Sequence, residues 1–168
     1  MRVVCTKEFN CTPERLWPFL AEPEQQKRWM KGLLENTRTG TGPDGVGSTF
    51  RMKIKEGGRV QEYDGETVAF DPPRHLAVRF WGGAFKEGMV VRVDYRLTPG
   101  DGRTRLDYVC EMECGRLGLF LRLLLPLIKL FSKMQLRGFL KTLKRLAEEA
   151  PDVPARNSTR GVSRCALP

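Results

Sequence analysis

The amino-acid sequence predicts an α+β fold: a seven-stranded curved antiparallel sheet, two short helices after its first strand, and a long C-terminal helix, in the order β-α-α-β6-α. Three observations carry this prediction. Apolar and polar residues alternate over four segments between residues 48 and 114, which marks strands with one buried and one wet face. The period lengthens to about 3.6 residues from Leu119 to Glu149, which marks a helix. Between the first strand and the alternating region stand two helix starts, each led by a proline.

The elements follow in order. Val3 to Phe9 reads as the first strand. Thr12 is a good helix N-cap, Pro13 suits the first helical position, and Glu14 favours the first turn. Pro18 and Pro23 prevent one long helix, so the sequence predicts two, over Pro13–Leu20 and Pro23–Met30, with Trp17 and Trp29 facing inward. Then Phe50, Met52 and Ile54 share one strand face, and so do Leu76, Val78 and Phe80. Met89, Val91, Val93, Tyr95 and Leu97 share another, followed by Leu106, Tyr108, Cys110, Met112 and Cys114. Gly and Pro clusters at residues 42–45, 57–58, 71–73, 82–83 and 99–102 supply short turns, which predict a meander of sequential neighbours. On the final helix Phe120, Leu124, Leu127, Phe131 and Met134 fall on one face. Pro126 predicts a kink or a local break, and Pro151 ends the helix. Residues 1–149 read as one domain, and residues 150–168, rich in Pro, Ser, Arg and Asn, as a disordered tail.

Composition excludes several classes. A chain of 168 residues with 40% hydrophobic content can bury a core, while 29% charged residues argue against a membrane-embedded chain. One histidine makes a zinc site or a histidine-centred triad improbable, and the five cysteines have no paired spacing. No metal site and no cofactor is expected. The opening residues lack the apolar core of a signal peptide, which predicts a cytoplasmic protein with free thiols. Cys165 opens a terminal tetrapeptide with the outline of a prenylation box, but the final Pro168 argues against it.

The net charge of +9 is unevenly placed. Residues 1–114 carry 18 Lys and Arg against 17 Asp and Glu; residues 115–168 carry 11 against 3. Arg122, Lys129, Lys133, Arg137 and Lys141 form the basic side of the helix, which suits an anionic membrane surface or an acidic partner if it is more than a solvated face. Nucleic acid is not expected, because the basic residues are not interleaved with stacking aromatics.

Four segments together resemble a known superfamily. They are CTPERLWPFLAEPEQQKRWMKGL, GTGPDGVGSTFRMKI, ETVAFDPPRHLAVRFWGG and LIKLFSKMQLRGFLKTLKRLAEE, within residues 1–149. They are similar to the opening helix pair, the Gly-rich turn, the strand-turn-strand and the closing helix of the START-like (birch-pollen-allergen-like, SRPBCC) superfamily, most of all its polyketide cyclase/dehydrase and lipid transport branch. The resemblance implies a helix-grip fold, with the sheet wrapped around the C-terminal helix and an internal cavity between them for an apolar molecule. It assigns no catalytic residue, because none of these segments is catalytic in the family.

The residues support a cavity independently. The helix is apolar almost all round from Leu117 to Phe131, so its far side needs a cover, which a ligand, a lipid surface or a second chain can supply. Trp29, Phe50, Met52, Tyr63, Val78, Phe80, Met89, Val91, Tyr95, Tyr108, Cys110, Leu124, Leu127, Phe131 and Gln135 are the expected cavity residues. The sheet acids Asp94, Asp107, Glu111 and Glu113 fall on the wet face, so no carboxylate pair converges inside for acid–base work. The favoured function is binding of a hydrophobic small molecule or lipid, for transport or sensing. A cyclase or dehydratase in the same cavity, and a peripheral membrane or partner-binding protein, are the alternatives, and a homodimer is compatible with each.

Overall fold

A computed structural model describes residues 1–85, 88–113 and 119–149, the side chains of residues 119–133 excepted. The sheet has seven strands: β1 (Arg2–Phe9), β2 (Leu33–Arg38), β3 (Thr49–Glu56), β4 (Arg59–Asp71), β5 (His75–Gly82), β6 (Val90–Pro99) and β7 (Thr104–Glu113). Its order is β1-β7-β6-β5-β4-β3-β2. Strands β2 to β7 form the predicted meander, and β1 closes on β7, so that Val3 faces Cys110 and Cys5 faces Tyr108. All pairings are antiparallel, and turns of two, three and four residues join β3 to β4, β4 to β5 and β6 to β7.

Helices α1 (Pro13–Ala21) and α2 (Pro23–Lys27) follow β1. Thr12 is the N-cap of α1, with extended backbone angles and its carbonyl accepting from the amides of Arg15 and Leu16, though its side chain makes no capping bond. One sequence expectation is corrected here. Helix α2 stops at Lys27 rather than Met30, because the amides of Arg28 and Trp29 bond three residues back, to Gln25 and Gln26, tightening the last turn.

The long helix α3 spans Leu119–Glu149, and the local break that Pro126 predicts does not divide it. Leu136, Leu140, Leu143 and Ala147 are buried, at spacings of four, three and four residues. That phase corrects the predicted one. Met134 is 63% exposed and Gln135 is exposed, since Gln135 stands about 100° around the helix from Leu136. Neither faces the interior.

Helix α3 packs on β1 and α1. The main core gathers Phe9, Leu16, Leu20, Leu106, Leu140 and Leu143, each almost without exposure. The helix's C-terminal end is tied down by polar contacts. The Asn10 amide donates to Glu148 Oε1 at 2.7 Å, Arg15 Nη2 to the Glu148 carbonyl at 2.8 Å, and Lys144 Nζ to the Glu8 carbonyl at 2.8 Å. A second, smaller core of Leu33, Met52 and Tyr63 lies toward the other edge of the sheet. The predicted tail, Cys114 and Cys165 lie outside the described residues.

Candidate functional site

A cavity of about 560 Å³ lies between the inner sheet face and the α1–α2 pair. Strands β3, β5 and β6 supply its apolar floor through Phe50, Met52, Ile54, Leu76, Val78, Phe80 and Val93. Strand alternation puts these side chains on one face, and the register sets Val78 beside Val93. Trp17, Leu20 and Ala21 of α1 form the opposite wall. Trp17 is held there by an edge-on contact with Phe70, centroids 5.7 Å apart. Gln26, Asn36, Arg38 and Asp44 add polar residues to the lining. Arg38 Nη2 contacts Asp44 Oδ1 at 3.0 Å and donates to the Gly42 carbonyl at 2.7 Å.

Tyr95 and Tyr108 also line the cavity. Burial pushes the Tyr95 hydroxyl well above the ordinary tyrosine range, with the Cys110 thiol adding to it. Burial does the same to Tyr108, helped by neighbouring Tyr95 and Cys110. Both are therefore neutral near pH 7, able to donate or accept a hydrogen bond and unfit as bases. Burial likewise raises the Cys110 thiol, which keeps it a poor nucleophile.

Of the residues the sequence singles out, Phe50, Met52, Val78, Phe80, Tyr95 and Tyr108 line this cavity. Others do not. Trp29 is buried in the main core, where its indole Nε1 donates to the Phe19 carbonyl at 2.7 Å and ties the end of α2 to α1. Tyr63 is 1% exposed in the second core, where its hydroxyl donates to Glu56 Oε2 at 2.9 Å. Burial and then that bond push its pKa up to about 12. Val91 packs in the main core, Cys110 packs against it, and Met89 precedes the start of β6. Alternation fixes which face a residue takes; it does not fix where along the strand the cavity ends. Gln135 is exposed and leaves the set altogether.

Leu124, Leu127 and Phe131, with the basic residues Arg122, Lys129 and Lys133, have side chains outside the described residues. The other two basic residues, Arg137 and Lys141, are exposed. The described residues of the wall facing the sheet belong to α1–α2; the α3 side chains that the sequence expects there lie outside the described residues. Gln26, Asn36 and Thr67 line the cavity without any mark in the sequence. Nothing in a single polar residue at a strand or helix position identifies it as a cavity residue.

His75 and Asp94 pair on the other sheet face, His75 Nε2 to Asp94 Oδ1 at 3.0 Å. Asp94 also meets Arg96 at 3.1 Å and Arg92 at 3.6 Å, so this histidine belongs to a charged network rather than to the cavity. Among the described residues no group of His, Cys, Asp and Glu is arranged to hold a metal ion, and no helix is long and apolar enough to cross a membrane.

Residues 1–148 match the family described as polyketide cyclase/dehydrase and lipid transport. The chain belongs to that family. Uncharacterized proteins of Mycobacterium tuberculosis and Mycobacterium bovis are similar to this member, each 30% identical over 146 residues, 85% of this chain and 82% of theirs. Among solved structures, Ara h 8.0201 superposes with a TM-score of 0.67 at 14% identity, covering 88% of this chain and 97% of that one. A protein from Thermus thermophilus gives 0.68 at 17% identity, with the same coverage. DynU16, a protein in the dynemicin biosynthetic locus, gives 0.63 at 20% identity, over 88% of this chain and 47% of that one. At these identities the likeness is one of fold: this family member has the helix-grip architecture, a curved antiparallel sheet with a C-terminal helix.

Proposed function

We propose that the protein binds a hydrophobic small molecule or lipid in the cavity between the sheet and the α1–α2 pair, as a carrier or sensor. The observation that supports this reading is the cavity itself: about 560 Å³, with a floor of aliphatic and aromatic side chains and a few polar residues in its lining. Small-molecule sites span roughly 300–1,000 Å³ and share that layout. Burying an apolar ligand there removes its surface from water at about 25 cal/mol per Å², a driving force that needs no charged contact. Native mass spectrometry after gentle isolation tests the reading. A bound lipid, fatty alcohol or aromatic molecule is the expected result; a protein that neither carries nor takes up any apolar molecule contradicts it.

A second reading, a cyclase or dehydratase in the same cavity, draws on Tyr95 and Tyr108. Two neutral hydroxyls in the lining can donate to a carbonyl of a folded polyketide-like chain. Replacing both with Phe should then abolish turnover while uptake persists. A third reading, docking on an anionic membrane, draws on exposed Arg137 and Lys141, one turn apart on α3. Flotation with anionic but not neutral vesicles is its expected signature.

A further inference from the structure

Tyr95 lines the cavity from the inner face of β6 and is 8% exposed. Its hydroxyl makes no hydrogen bond among the described residues, yet it is not sealed off from solvent. On the inner face of a strand flanked by β5 and β7, the open space it borders is the cavity. Its neighbour differs: the Tyr108 hydroxyl hydrogen-bonds with the Cys110 thiol. Buried polar groups in folded proteins nearly always have a partner, and an exception calls for one that the protein itself does not supply. Tyr95 thus holds an O–H at the cavity with no acceptor in the protein to take its proton.

The surroundings narrow what the missing acceptor can belong to. Four lining residues are exposed: Glu22 and Pro23 at the start of α2, Arg38 at the end of β2, and Asp44 in the connection after it. Solvent therefore reaches the cavity from that side. Tyr95 lies on the other side, where its cross-strand neighbour Leu76 and the adjacent Val93 are buried. Arg38 is the one cation among the described lining residues. It stands four strands from Tyr95, roughly 19 Å at about 4.8 Å per strand, and is engaged by Asp44. A carboxylate at Tyr95 would lose its water with no opposite charge to meet it. A hydroxyl would bring a second proton that again needs an acceptor. A carbonyl oxygen only accepts, and it completes the bond that Tyr95 lacks.

We propose that the ligand enters with an uncharged carbonyl oxygen leading and that Tyr95 donates to it, so that the cavity takes an apolar molecule with a ketone- or ester-type carbonyl at its inner end. This rests on the cavity being the binding site, and it names the ligand's chemical class and its direction of entry. Tyr95 is a specificity residue in this binding, and no reaction is asked of it.

Three matched probes separate the possibilities, titrated against the full chain at neutral pH: 2-acetylnaphthalene, 2-isopropenylnaphthalene (a CH2 group in place of the carbonyl oxygen) and 2-naphthoate. Tyr95→Phe removes only the hydroxyl. It should shift the ratio of ketone to hydrocarbon affinity on the order of 10-fold toward the hydrocarbon, since the ketone loses its donor and the hydrocarbon no longer strands one. Tyr108→Phe should shift that ratio less. The unaltered protein should bind 2-naphthoate more weakly than the ketone. Infrared spectra carry the test if Tyr95→Phe does not fold: the carbonyl band of the ketone bound to the unaltered protein should lie below its position in hexane, as a hydrogen bond requires. A ratio indifferent to Tyr95→Phe, an equal or larger shift with Tyr108→Phe, tighter binding of naphthoate than of ketone, or an unshifted carbonyl band overturns the proposal. Failure of the ketone and the hydrocarbon alike to bind contradicts the cavity reading itself, and this inference falls with it.

Discussion

Tyr95 and Tyr108 face each other across the β6–β7 ladder and meet edge to face, with ring centroids 5.3 Å apart and planes at 71°. The pair forms part of the lining where β6 and β7 meet. Edge-to-face rings of this kind add about 0.5–1.5 kcal/mol beyond the area they bury, so the pair is a stable piece of wall as well as a source of hydroxyls.

The tyrosines make the protein's alkaline behaviour predictable. The chain has three, Tyr63, Tyr95 and Tyr108, and the folded state raises the pKa of each, first by burial. A raised pKa means that the folded state holds its proton more firmly than the unfolded state does. The associated stability is complete below the unfolded value of about 10 and is lost as pH rises through the folded values. For Tyr63 that window runs from about 10 to about 12. An absorbance titration should therefore show little tyrosinate at pH 10.5, roughly where free tyrosine is more than half ionised. The tyrosinate signal should rise together with loss of circular dichroism. A normal titration near pH 10 in the folded protein would contradict this burial.

The cavity floor depends on a close approach at Gly65. A Cβ there would come within 2.5 Å of Phe50 Cζ and 2.8 Å of the Arg79 carbonyl. Gly65→Ala must push the Phe50 ring or part β4 from β5, at a cost of about 1–3 kcal/mol. Because Phe50 lines the cavity, the same substitution should weaken uptake of an apolar probe. Urea unfolding and probe titration of the one variant check both effects; unchanged stability would show that the β3–β4 packing is looser than this approach requires.

The phase of α3 is testable by a contrast. Leu143 has no exposure and sits in the main core, whereas Met134 is 63% exposed. Leu143→Ala should cost about 2–5 kcal/mol, and Met134→Ala should stay within roughly 0.5 kcal/mol. Equal losses on chemical denaturation would restore the inward face that the sequence places at Met134.

That contrast shows where sequence reasoning reaches and where it stops. The alternation in β6 assigns Val91, Val93, Tyr95 and Leu97 to one face, and all four are buried. A strand's period is two, so a short segment suffices to fix its phase. The helix is harder. Its apolar residues surround it, and a stripe drawn through Phe120, Leu124, Leu127 and Phe131 continues to Met134 as readily as to any neighbour. Only the packing of Leu136, Leu140, Leu143 and Ala147 against β1 and α1 decides it. The α1–α2 wall of the cavity is equally hidden, because a nine-residue helix with four buried positions looks the same whether it covers core or cavity. Asn36 gives no sign at all: its Nδ2 donates to Gln26, ten residues earlier in the chain, whose own amide is held by the Leu20 carbonyl.

The central claim is that an apolar ligand occupies the space beside Val78, and filling that space tests it most directly. Val78 is a partly buried β5 residue whose side chain lines the cavity beside Val93. Titrating the unaltered protein with a fluorescent apolar probe should give saturable binding at one site per chain. Val78→Trp, shown by circular dichroism to remain folded, should weaken that binding on the order of 10-fold or more, because the added ring takes the probe's volume. Binding that is absent from the unaltered protein, or undiminished in the folded variant, would mean that the cavity is not where the ligand goes.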